Sequence, residues 1–202
     1  VAFSAQMEPE RFDVVSSSPV PAVHHAYARL RARHDRVHLL APDLRSRPGG
    51  ALSMPRTAAF VDAVAVHDDG PAEQRMRLTP EGTRGTFEIA LDWLNGPDRP
   101  SAVLCYTGYQ AVALRLAAAR AGVEVPEELE IIAIGDIPAE AELLGPISYY
   151  GVDDVFARLS GVVVDRAVER GDRPGRLHRF DWEYFPGTTT RDDETSRSTD
   201  DR

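Results

Sequence analysis

Lysine is absent from this 202-residue chain, and all 23 of its basic side chains are arginine. Without lysine it cannot supply the amine of a G-x-x-x-x-G-K-[ST] phosphate loop. Cysteine is nearly absent too. The single thiol, Cys105, excludes a disulfide framework and a cysteine-based zinc site. Lying in the apolar run Ala102-Val103-Leu104-Cys105, it reads as a small buried hydrophobe in a reducing compartment. No apolar run approaches the roughly 18 residues of a membrane span. The start, Val1-Ala2-Phe3-Ser4, lacks the charged and apolar regions of a signal peptide. The expected setting is therefore the cytoplasm, with no membrane partner. Basic charge is also short, with 23 basic against 32 acidic side chains and a net charge of -9. Such a surface repels nucleic acid phosphates, and no stretch forms a basic patch. Glycine-rich signatures are missing as well: no G-x-G-x-x-G follows a strand and no G-x-S-x-G elbow occurs. The nearest cluster, Gly82-Thr83-Arg84-Gly85, reads as packing in the first turns of a helix.

What is present is an ordinary 43% hydrophobic composition, enough to bury a core without metals or disulfides in one generous domain or two small lobes. Strand and helix patterns alternate. A helix over about 21–33 precedes a strand over 36–41. Ser53 is placed to cap a helix with Pro55 in its first turn and Ala59, Phe60, Ala63 and Val64 on one face, ending before Asp68-Asp69-Gly70. Thr79-Pro80 opens a helix carrying Phe87, Ala90, Leu91 and Leu94, which Asn95-Gly96-Pro97 stops. The strand 102–106, helix 108–121 and strand 129–134 form a βαβ crossover, so the two strands are expected to be parallel neighbours covered on both faces. A short strand over 147–151 and a helix over 153–170 follow. Arg179–Phe185 alternates strictly and reads as one edge or half-covered strand, while the polar tail from Gly187 reads as disordered.

Candidate chemistry is sparse. His24 and His25 point about 100° apart on a helix and cannot chelate one ion. His34 and His38 straddle a helix-to-strand junction and read as solvated, as do the turn carboxylates Asp68, Asp69, Glu127 and Glu128. No metal or cofactor is expected. In an open parallel sheet, ligands bind beyond the carboxyl ends of the strands. Those ends carry Tyr106-Thr107-Gly108 and Gly135-Asp136, and the loop near Arg56 is placed to face them. Thr107 and Asp136 offer hydrogen bonds, and Arg56 offers a clamp for an oxygen-rich or anionic ligand.

Several local signatures, in their order, resemble the effector-binding core of LacI/GalR-family transcription regulators. Arg99-Pro100-Ser101-Ala102-Val103-Leu104 looks like the family's R-P-T-A-hydrophobic strand, and Ala111-Val112-Ala113-Leu114-Arg115 like the small-residue helix after it. Gly122-Val123-Glu124-Val125-Pro126-Glu127-Glu128-Leu129 resembles its G-hydrophobic-x-V-P-E-D turn. Ile131 to Pro138 resembles the strand ending in G-F-D-D-I-P, and Pro186 to Asp192 the closing P-x-L-x-x-R-x-S segment with Arg191 at the arginine. The resemblance runs from about His24 to Asp192.

The resemblance implies an α/β, periplasmic-binding-protein-like fold, with a parallel Rossmann-like sheet and helices on both faces, one lobe nearly complete and the other partial. It assigns 17–146 and 171–186 to the C-terminal effector-binding lobe, 1–16 and 147–170 to a remnant of the N-terminal lobe, and 187–202 to a disordered tail. It also implies a small-molecule effector held by Arg56, Thr107, Gly135 and Asp136, and a homodimer through Val112, Arg115, Leu116, Leu143 and Leu144. DNA would be contacted only through a head not present in these residues. With no initiator Met, the chain is expected to be a fragment, a truncated product or a trimmed form. The pocket departs from the family: its Asn-Asp pair is Thr107-Gly108 here, and the first Asp of its Asp-Asp pair is Gly135. A sugar would lose several hydrogen bonds worth about 0.5–1.5 kcal/mol each, so tight sugar binding is not expected. A solute-binding protein of the same fold and a nucleotide- or cofactor-using α/β enzyme are the alternatives.

Overall fold

The computed structural model describes residues 2–3, 12–43, 54–80, 82–169 and 174–191. In chain order the elements are β1 (Ala2–Phe3), β2 (Val14–Ser16), α1 (Val20–Arg31), β3 (His38–Pro42) and α2 (Pro55–Val66). Then come a 3-10 turn (Ala72–Arg75), β4 (Met76–Thr79), α3 (Thr83–Asn95), β5 (Ala102–Cys105), α4 (Gly108–Ala121) and β6 (Glu130–Ile134). A second 3-10 segment (Ala139–Leu144), β7 (Tyr149–Gly151), α5 (Val155–Val168), β8 (Leu177–Arg179) and β9 (Glu183–Phe185) complete the list.

Six strands form one sheet in the order β4-β3-β5-β6-β7-β9, parallel except for β9, which runs antiparallel to β7. Its central strands are apolar apart from His38 and Glu130 at the starts of β3 and β6, because both faces are covered. Leu39, Ala41, Leu104, Ile132 and Ile134 pack with residues of α1 and α2, including Tyr27 and Phe60. Leu40, Val103, Cys105, Ile131 and Ala133 pack on the other face with residues of α3 and α4, including Trp93 and Leu114. The crossover through α4 makes β5 and β6 parallel neighbours, and Gly122 ends α4 in the left-handed conformation (φ 71°), as the sequence pattern implied. Strands β1, β2 and β8 form a separate three-stranded parallel sheet, where Val15, Val162 and Phe180 make a small core. No helix among the described residues is long and apolar enough to cross a membrane.

Some expectations need correction. Helix α3 begins at Thr83 behind Gly82, because Met76–Thr79 is a strand whose short, half-exposed pattern gave no alternation signal. Ser53 lies outside the described residues, and Met54 holds the N-cap position of α2. The alternating segment 179–185 is two strands in two sheets: Phe180 enters the small core while Trp182 and Tyr184 pack on the large one. The sheets also divide the chain differently from the expected lobes. Tyr149–Gly151 joins the larger sheet and Leu177–Arg179 the smaller.

The tail expected to be disordered from Gly187 is instead built into the sheet through Arg191. Ile131 N–H donates to the Thr189 carbonyl (2.8 Å), and Thr189 Oγ1 donates to the Ile131 carbonyl (2.8 Å). Ser148 N–H donates to Thr189 Oγ1 (2.9 Å), and the Ser148 and Thr190 hydroxyls pair at 2.7 Å. Residues 192–202 lie outside the described part. Polar composition suggested disorder because nothing in the sequence reveals that these threonines find buried backbone partners.

Beside this tail sits Glu130, a fully buried carboxylate. Arg33 donates to both of its oxygens (3.1 and 3.0 Å), His34 Nε2 lies 2.7 Å away, and the Arg191 backbone N–H donates at 2.6 Å. Burial works against the charge, but Arg33, the Arg191 N–H and His34 outweigh it and hold the carboxyl below its ordinary value. His34 is thus a buried partner and not the solvated histidine expected. Asp69, also read as solvated, is buried and bonded to Tyr27 and Arg31.

Replacing Glu130 with Ala should cost about 3–5 kcal/mol, since Arg33 keeps its charge without its partner. Because the folded carboxyl titrates below its ordinary value of 4.5, its stabilisation is complete above that pH and is lost as pH falls through the lowered folded value. Glu130→Gln removes this linkage. Urea denaturation from pH 7 towards pH 3 should therefore show the gap between wild type and Glu130→Gln closing as the pH drops.

Candidate functional site

At the carboxyl edge of the larger sheet, β3 precedes β4 on one side and borders β5 on the other, so the strand order reverses at β3, the point where open parallel sheets bind ligands. Arg56 sits in the first turn of α2, whose N-terminus points to this edge. Its Nη1 donates to the Tyr106 carbonyl at 3.0 Å. The guanidinium carbon lies 5.0 Å from the Tyr106 ring centroid and 5.5 Å from that of Trp182. Burial pulls the Arg56 pKa down while Tyr106 and Asp136 oppose that shift, and a guanidinium keeps its charge throughout. The result is a half-buried cation held against two aromatic rings.

Gly135 follows β6 with φ 119°, a conformation that favours glycine, and a Cβ there would stand 3.5 Å from Arg56 Nη2. Asp136, next along, is exposed. A Cβ on Gly151 would stand 2.9 Å from its Oδ1, so β7 also reaches this edge. Burial and the charges of Asp136 and Asp153 raise the pKa of Tyr149. Thr107 occupies the N-cap position of α4, with its hydroxyl donating to Gln110 Oε1 at 2.7 Å and not to the helix backbone. Gly108 packs against the loop after β6 so closely that a Cβ would lie 2.3 Å from the Asp136 carbonyl oxygen.

Arg56, Gly135 and Asp136 are thus gathered at one edge, and Thr107 starts the adjoining helix. Sequence reasoning missed Tyr106 and Trp182 as the rings that hold Arg56. Tyr106 was visible as the strand's last residue, but Trp182 comes from the far end of the chain and no local pattern pairs them. Cys105, one residue earlier, is fully buried and burial pushes its thiol pKa up, which fits a packing role.

The residues proposed for pairing between copies lie on α4 and the 3-10 segment after β6. Val112 packs partly against the core, and Arg115 donates to Thr188 Oγ1 at 3.3 Å, beside Gly145. Leu116 is 38% exposed and Leu143 is 96% exposed, while Leu144 is half-buried.

Residues 28–172 match the family described as periplasmic binding protein-like domain. The chain belongs to that family. Its fold is that of the effector-binding core of LacI-type regulators, as the motifs implied. Among solved structures, a LacI family transcription regulator from Clostridium acetobutylicum superposes with a TM-score of 0.68 at 16% identity, over 91% of this chain and 67% of that one. A LacI family regulator from Enterococcus faecium with bound ribose gives a TM-score of 0.68 at 16% identity, over 93% and 69%. One from Lactobacillus casei with bound glucose gives 0.68 at 15% identity, over 88% and 70%. This chain therefore spans about two thirds of the length of these structural relatives. No curated protein matches the sequence.

Gly108→Ala should destabilise the protein by about 1–3 kcal/mol, because the new methyl meets backbone that cannot yield without moving the crevice edge. Gly161→Ala, inside α5 with open space at its Cβ, should gain about 0.5–1 kcal/mol and serves as the control. Chemical denaturation of the two variants decides between packing at Gly108 and a general effect of replacing glycine.

Proposed function

We propose that this chain is the effector-binding and dimerisation region of a LacI-type DNA-binding transcription regulator that works in the cytoplasm. DNA contact is made through a head that these residues do not supply. The carrying observation is the Arg56 guanidinium, seated between Tyr106 and Trp182 at the reversal point of the sheet and facing Gly135 and Asp136. A cation with N–H donors at that point suits an oxygen-rich or anionic small molecule. Thr107, Gly135 and Asp136 form the rest of the effector site. Binding, and not turnover, is the reading. The strand ends assemble donors and a cation, the thiol of Cys105 is sealed inside the sheet, and the solved neighbours are transcription regulators.

The neighbours from Enterococcus faecium and Lactobacillus casei hold ribose and glucose. This crevice has fewer side chains for such ligands. Thr107 is engaged with Gln110, and Gly135 offers no side chain at all. Calorimetric titration with ribose and glucose should therefore give no tight binding. Strong saturable heat from either sugar, abolished in Arg56→Ala, would overturn this ligand class.

The pairing surface is the one that carries Leu116 and Leu143, with Val112, Arg115 and Leu144 around them. An almost fully exposed leucine beside a second apolar residue suits a covered interface. Sedimentation at tens of micromolar should show a dimer, and Leu143→Asp should shift it towards monomer by at least tenfold in dissociation constant. A monomeric wild type under those conditions refutes the dimer.

A further inference from the structure

We propose that the cavity at the amino edge of the larger sheet is a second ligand site, one that takes a compact, multiply charged oxyanion such as the phosphate groups of an organic phosphate. The cavity has a volume of about 750 Å³ and lies at the opposite end of the strands from Arg56. Its walls are the three connections that lead into β3, β4 and β5, at 33–38, 69–77 and 97–101, closed by Trp93. That size is in the range of small-molecule sites.

Charge makes the case for an anion. Within a chain of net charge -9, this cavity is lined by Arg33, Arg36, Arg75, Arg77 and Arg99 against only Asp35, Asp69 and Asp98. Arg33 is committed to Glu130, and Arg99 pairs with Glu128 at 2.9 Å. Of the other three, only Arg75 has an ion pair among the described residues, a long one of 3.9 Å to the Asp69 carboxylate that Arg31 also holds. Arg75 uses Nε and Nη2 on the Asp69 carbonyl, yet its side chain is only 11% exposed and its Nη1 is buried with no hydrogen-bond partner among the described residues. Arg77 is exposed, with its guanidinium 5.3 Å from the Trp93 ring centroid, and Arg36 is exposed at the start of β3. Neither has a carboxylate partner among the described residues.

His38 registers the same field from inside the cavity. Its ring packs edge-on against Trp93 with centroids 5.4 Å apart. Burial first, then the charges of Arg75, Arg36 and Arg77, lower its pKa to about 4, with the Ala102 backbone pulling the other way. It is therefore a neutral, half-buried imidazole and not the solvated histidine expected from sequence. A bound oxyanion would satisfy the Arg75 Nη1 donor and offset the three guanidinium charges that keep His38 neutral. Because this site and the crevice at Arg56 lie at opposite ends of the strands, each can be lost without the other.

The test is calorimetric titration of the whole chain with inorganic pyrophosphate at fixed ionic strength, paired with NMR titration of the His38 imidazole. Saturable binding is expected, with the His38 midpoint rising by at least one pH unit when pyrophosphate is present. Arg36→Gln and Arg77→Gln, both at exposed positions, should each weaken binding about tenfold. Asp98→Asn, which removes an acid from the lining, should tighten it, and Arg56→Ala should leave it unchanged. The proposal is overturned by heat that only tracks ionic strength, by indifference to Arg36→Gln and Arg77→Gln, or by loss of binding in Arg56→Ala.

Discussion

The larger sheet depends on one charged group in a place where charge is costly. Glu130 opens β6 at the centre of the sheet with no exposed surface, so its carboxylate survives only because four donors surround it. Those donors come from two distant parts of the chain: Arg33 and His34 just beyond α1, and the backbone of Arg191. One carboxylate thus sets where the first helix ends and where the tail must lie. His34 extends the network to Ser101 at 3.0 Å, immediately before β5. The amino edge of the sheet is fixed by polar bonds, and this leaves the carboxyl edge free to carry a crevice.

The two edges have opposite character for a reason that lies in the strands themselves. At the carboxyl edge, Gly108 lets the start of α4 approach the backbone after β6, Gly135 leaves room for the half-buried Arg56 guanidinium, and Gly151 leaves room for the Tyr149 and Asp136 side chains. At the amino edge the connections are rich in arginine and the walls stand apart. The same topology that gathers the like ends of the five parallel strands on one side keeps these two environments separated by the length of the strands.

The central part of the fold was legible in the amino-acid order. The apolar runs at 102–105 and 130–134, with the Ala/Leu-rich segment and Gly122 between them, carry their own crossover geometry. So was the gathering of Arg56, Gly135 and Asp136 at one edge of the sheet, since strand ends follow once the strands are placed. The parts that resisted reading were those whose meaning is non-local. Asp69 looks like a solvent-facing carboxylate until Tyr27 and Arg31 are brought to it across the fold, and no local pattern in β6 pairs Glu130 with Arg33. Met76–Thr79 is a strand because β3 offers it an edge, not because of its own pattern. Phe180, Trp182 and Tyr184 share an alternation, but the chain changes sheets between them.

The threonine segment 188–190 also bears on the order in which the molecule is made. Its bonds to Ile131 and Ser148 lie between β6 and β7, yet it is synthesised after every strand of the sheet. A nascent chain still held at the ribosome can therefore bury the apolar faces of β5 and β6 while Glu130 lacks one of its donors and the Ile131 N–H has no acceptor. Seating that polar strip can follow only after residues 188–191 have left the exit tunnel.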